Sequence, residues 1–104
     1  MENIYSIRDE KAESYGVLFS AVTDGCACRV FDQLLVADTQ KIAKYPEDFL
    51  LVSLGTFDPC TGTVDRLPAP RVVVNGISRI AYLRSLREAV DARTTPPTED
   101  VENA

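Results

Sequence analysis

A chain of 104 residues with 45% apolar side chains suffices for one domain, able to bury about two thirds of its unfolded surface without staples. Its net charge of -5 repels phosphate over most of the surface, which disfavours any binder of nucleic acid that works through overall charge. Cys26, Cys28 and Cys60 have no framework spacing and read as free thiols of a reducing compartment, and without histidine no ordinary zinc site can be assembled.

The alternation of Ile4, Ser6 and Arg8 with Tyr5 and Ile7 predicts a strand over about residues 3–8, stopped by Asp9-Glu10-Lys11. Val17 to Ala21 is a second strand candidate. Thr23 or Asp24 can cap a helix over about 24–37, in which Ala27, Val30, Phe31, Leu34 and Leu35 recur at spacings of three and four. That stripe reads as core. Cys26 and Cys28 on such a helix point about 200° apart and cannot share a metal. Lys41 to Lys44 adds a turn before Tyr45-Pro46, where proline disfavours helix.

Phe49 to Phe57 predicts a strand, Asp58-Pro59-Cys60-Thr61-Gly62 a turn, and Thr63 to Leu67 the returning strand of a hairpin. Pro68 and Pro70 then separate a further short strand, Arg71 to Val74. Ser78 is the expected cap of a second helix over about 79–92, with Ile80, Leu83, Leu86 and Val90 as its apolar stripe. There Arg84 faces Glu88 and Arg87 faces Asp91 at spacings of four, while Arg71 and Arg79 have no local partner. The order gives an α+β class, a small, mainly antiparallel sheet with two helices packed on it. One domain is expected over residues 1–92. Residues 93–104, proline-bearing and acidic, are expected to form a disordered tail.

Charge is uneven along the chain. Residues 1–69 carry six bases against eleven acids, residues 70–93 five arginines against two acids, and residues 94–104 three acids. One segment can therefore attract phosphate while the rest repels it. No apolar run approaches the roughly 20 residues of a membrane span, and the first residues lack a secretory pattern, so a cytoplasmic protein is expected.

Catalysis finds little to rest on. The five glycines never cluster into a phosphate loop, the thiols have no adjacent base, and Glu47-Asp48 follows Pro46 as turn carboxylates do. The expectation is a binding protein, not an enzyme, with no cofactor and no metal. Single-strand binders combine exposed aromatics with a cationic groove, and tyrosines and bases are both present to supply one.

The run Ile4 to Tyr15, then Phe19, then Thr23-Asp24-Gly25 opening a helix with Arg29 and Phe31, resembles the start of the small nonstructural protein of gokushoviruses. These are single-stranded DNA phages of the microvirus family. Lys44-Tyr45-Pro46-Glu47-Asp48-Phe49-Leu50-Leu51, Leu54-Gly55-Thr56-Phe57-Asp58 and Thr61-Gly62 continue the resemblance, which spans roughly residues 4–64. It implies a protein of the infected bacterium's cytoplasm that is not built into the mature virion. It further implies DNA binding and a part in switching replication to single-strand production. On that basis the expected nucleic-acid contacts are Tyr5, Arg8, Lys11, Lys41, Lys44 and Tyr45, with Arg71, Arg79 and Arg84 beyond the family-like part. The expected partner is single-stranded DNA. The alternative is a protein-interaction module that binds the phage replication initiator or a host replication factor, and a homo-oligomer is compatible with both.

Overall fold

The computed structural model describes residues 1–36 and 41–94. Strands β1 (Glu2–Asp9), β2 (Ser14–Tyr15) and β3 (Phe19–Ala21) precede helix α1 (Asp24–Val36). A short helix α2 (Lys41–Lys44) and a 3-10 turn (Pro46–Asp48) lead into β4 (Phe49–Phe57), β5 (Val64–Asn75) and helix α3 (Gly76–Thr94). β1 lies inside the sheet: β4 pairs along one edge, β2 and β3 share the other, and β5 borders β4. All four pairings are antiparallel. The chain is thus an α+β domain.

Directly opposed residues share a face, so Tyr5 with Phe19, Ile7 with Leu51 and Asp9 with Phe49 line one side of the sheet. α1 lies over that side because its apolar positions repeat every four residues: Ala27, Phe31 and Leu35 are buried and meet Tyr5, Phe49, Leu51 and Ile42 in one core. Each large side chain removed from water here stabilises the fold by about 1.5–3 kcal/mol. The helix starts where expected, with Thr23 Oγ1 accepting the Cys26 N–H at 3.2 Å.

Four elements depart from the sequence expectation. Residues 63–67 and 71–74 belong to one strand, not two: β5 pairs with β4 from Phe57 opposite Val64 to Leu50 opposite Asn75, and Leu67 to Pro70 bulge out between Arg66 and Arg71. The prolines sit in that bulge, at the sheet's outer strand, where no ladder N–H is required. α3 begins at Gly76, because Asn75 rather than Ser78 is the cap, its Oδ1 accepting the Ser78 N–H at 2.7 Å. Gly76 is buried, and a Cβ there would run into the Pro46 carbonyl, so glycine is what lets α3 seat on the 3-10 turn. The second strand is shorter than expected, Phe19–Ala21, and Ser14–Tyr15 adds a strand that residue pattern alone does not mark.

The hairpin between β4 and β5 closes on Asp58. Its Oδ1 accepts the Cys60 N–H at 2.9 Å and its carbonyl accepts the Gly62 N–H at 2.7 Å. Gly62 takes φ 77°, a region open to glycine. The acidic tail expected from residue 93 lies, from residue 95 onward, outside the described residues.

Candidate nucleic-acid interface

Eight of the nine expected contact residues separate into three groups, and the side chain of the ninth, Lys41, lies outside what the structure describes. Tyr5 is a correction: its side chain is fully buried, stacked on Phe19 with ring centroids 5.7 Å apart, so no base can stack on it. Its hydroxyl donates to Asp24 Oδ1 at 2.7 Å. Burial, then the Asp24 carboxylate, pushes the phenol up to about 12. An aromatic in an alternating strand faces either side, and register with α1 decides which.

Arg8, Arg71 and Arg79 form the second group, each already paired with a carboxylate. Arg71 binds Asp24 through both terminal nitrogens at 3.1 Å. Arg79 grips Asp32 at 2.6 and 2.8 Å, the two side chains 20% and 18% exposed. Arg8 Nε meets Glu10 Oε2 at 2.6 Å, and its guanidinium stands 5.2 Å from the Tyr15 ring centroid. Asp24 and Asp32 lie eight residues apart on one flank of α1, and Arg71 and Arg79 are eight apart on the segment that packs there. These arginines lock the C-terminal half onto α1 instead of offering charge to a ligand. The Arg71 guanidinium, then the Tyr5 hydroxyl, holds the Asp24 carboxyl below its usual range. The Asp32 carboxylate raises the Arg79 guanidinium, while Cys28 between the two aspartates is pushed up by burial.

Lys11, Lys44, Tyr45 and Arg84 remain. All four are exposed, and the three cations pair with no carboxylate among the described residues. Lys11 and Tyr45 line one cleft of about 220 Å³ with Asp9, Asp48 and Phe49. Tyr45 is 52% exposed and held at the rim by backbone: its carbonyl accepts the Asp48 N–H at 3.0 Å, and the Asp48 carbonyl accepts the Glu10 N–H at 2.8 Å. The β1–β2 turn and the 3-10 turn are thereby pinned together, which places Lys11 beside Tyr45. Lys44 is the residue before it. Lys41 opens α2.

Arg84 lies apart, in a second groove of about 290 Å³ that the end of α1, α2 and α3 share, with Leu35, Val36, Ala43, Ile80, Leu83 and Arg87. The pair expected within α3 between Arg84 and Glu88 is not formed among the described residues. A third and larger cleft, about 460 Å³, opens between the far flank of α1 and the β2–β3 edge, lined by Ile7, Phe19, Val30, Leu34, Ile42 and Phe49 among others. Sequence reasoning passed over it because each of those residues reads as core.

Among the described residues no three His, Cys, Asp or Glu side chains are grouped to hold a metal, and no helix is long and apolar enough to cross a membrane. No curated protein and no solved structure gives a significant match. Residues 2–79 match a family model described as Phage ORF5 protein. That span runs from β1 through the start of α3 and takes in the whole sheet with the first cleft, so the chain belongs to the phage ORF5 protein family.

Proposed function

We propose that this phage protein is a gokushovirus nonstructural protein that binds single-stranded DNA and assists the switch of genome replication to single-strand production. It acts in the cytoplasm of the infected bacterium, outside the mature virion, and by binding rather than by catalysis. The observation that carries the reading is Tyr45, an exposed ring on a pinned rim with Lys11 and Lys44 beside it and neither cation in an ion pair among the described residues. A base stacked on such a ring contributes about 1–3 kcal/mol, and the two ammonium groups flank the path of its phosphates. Arg8, Arg71 and Arg79 are taken up by carboxylates, so the positive charge beside Tyr45 is that of Lys11 and Lys44. The acidic remainder of the surface then limits affinity and makes it strongly dependent on salt.

Fluorescence anisotropy with a labelled oligonucleotide at about 50 and about 200 mM salt tests this, since released counterions make affinity fall with salt in proportion to phosphate contacts. Binding at the lower salt that weakens at the higher is expected, and Tyr45→Ala should lose most of it. A second reading has its own observation. The 460 Å³ apolar cleft beside Val30 and Leu34 suits an apolar anchor of a protein partner, and an acidic surface favours a basic one such as a replication protein. Absence of oligonucleotide binding at the lower salt would sink the DNA reading and leave the cleft as the working surface.

A further inference from the structure

We infer that the groove bounded by the end of α1, α2 and α3 is a second nucleotide subsite, occupied by the continuation of the same DNA strand that stacks on Tyr45. This rests on the DNA reading and extends it to residues that reading does not need. Three observations carry it. The groove has an apolar floor, Leu35, Ala43, Ile80 and Leu83, on which a base can lie. Its wall carries Arg84 and Arg87, exposed guanidinium groups for which no ion pair is formed among the described residues, whereas Arg71 and Arg79 are each held by an aspartate. It is also close to the first cleft along the chain: Ala43 lines the groove, Tyr45 lines the cleft, and only Lys44 separates them in sequence.

The charge pattern selects the occupant. An apolar floor alone would suit any hydrophobic side chain, but two unpaired guanidinium groups above it call for an anionic ligand with planar apolar parts. A nucleotide strand supplies both, with one phosphate for each base. Linked subsites make the second contact intramolecular, so affinity rises with strand length once both are spanned.

The test uses the full chain and oligothymidylates of about 4 and about 12 nucleotides, near the ends of the range that small single-strand binding domains cover. The longer strand should bind at least tenfold more tightly. In the double variant Arg84→Gln and Arg87→Gln that advantage should vanish, while binding of the shorter strand stays within about twofold of the parent, because Tyr45 and Lys11 are untouched. Both positions are exposed, and an unchanged circular dichroism spectrum and melting temperature confirm that the variant folds. If the variant keeps the full length advantage, the groove is not part of the DNA path. Equal affinity of both strands for the parent protein overturns the inference as well, and the DNA reading survives either result. If neither strand binds, the reading and the inference fall together.

Discussion

At the scale of single residues, Asp24 does more than cap α1. Its carboxylate sits in the first turn, where the helix dipole favours a negative charge, and accepts from both the Tyr5 hydroxyl and the Arg71 guanidinium. Because its folded pKa is lowered, the stability it contributes is present above the unfolded value of about 3.9 and is lost as pH falls through the folded one. Urea midpoints should therefore drop on acidification below about pH 4, and Asp24→Asn should flatten the drop. Tyr5 gives the opposite sign. Its raised pKa keeps its stability intact below the ordinary phenol value of about 10, with loss as pH rises towards about 12. Tyr5→Phe should cost about 1 kcal/mol at neutral pH and remove the alkaline limb of the stability profile. Asp32→Ala strands the half-buried Arg79 charge and should cost roughly 1.5–3 kcal/mol in urea unfolding. Neither ion pair is legible in the sequence, since each joins residues 47 positions apart, and only the packing of β5 and α3 along α1 brings the partners together.

Among the elements, α3 depends on one glycine. Gly76→Ala forces a Cβ against the Pro46 carbonyl, and the backbone shift that relieves it should cost about 1–3 kcal/mol, read as a lower melting temperature. Pro68→Ala lies in the bulge of β5, outside the ladder, and should change stability by less than about 0.5 kcal/mol. The contrast between the two follows from where each backbone is constrained. α1 was legible because Ala27, Phe31 and Leu35 repeat at the helical period and Thr23 announces the start. β4 was legible from its apolar run and the Asp58 turn. β5 was not read as one strand because proline is a strand breaker by local rules, and only the pairing with β4 shows that Leu67 to Pro70 are carried as an outward loop. The start of α3 was misplaced by two to three residues because Asn75 and Ser78 are both good caps, and the close approach to Pro46 that favours the first is a tertiary contact.

For the whole molecule, a net charge of -5 and a proposed affinity for DNA are reconciled by how the positive charge is spent. Arg8, Arg71 and Arg79 are held by carboxylates, Lys11 and Lys44 stand by the Tyr45 cleft, Arg84 and Arg87 line the second groove, and Arg29 and Arg66 are exposed elsewhere. The tyrosines divide likewise, Tyr5 to the core and Tyr45 to the surface. Composition and family resemblance pointed to tyrosines and bases, and Lys11, Lys44 and Tyr45 do gather at one end. Which cations remain available required the long-range pairing. The most direct measurement is a two-dimensional amide NMR titration of the full chain with an oligothymidylate of about 12 nucleotides at about 50 mM salt, where phosphate contacts are strongest. Shifts should concentrate in residues 9–13 and 42–49 and extend to 83–88, leaving the Asp24–Arg71 flank unmoved. Shifts confined to the apolar cleft at Val30 and Leu34, or no shifts at all, would contradict DNA binding at Tyr45.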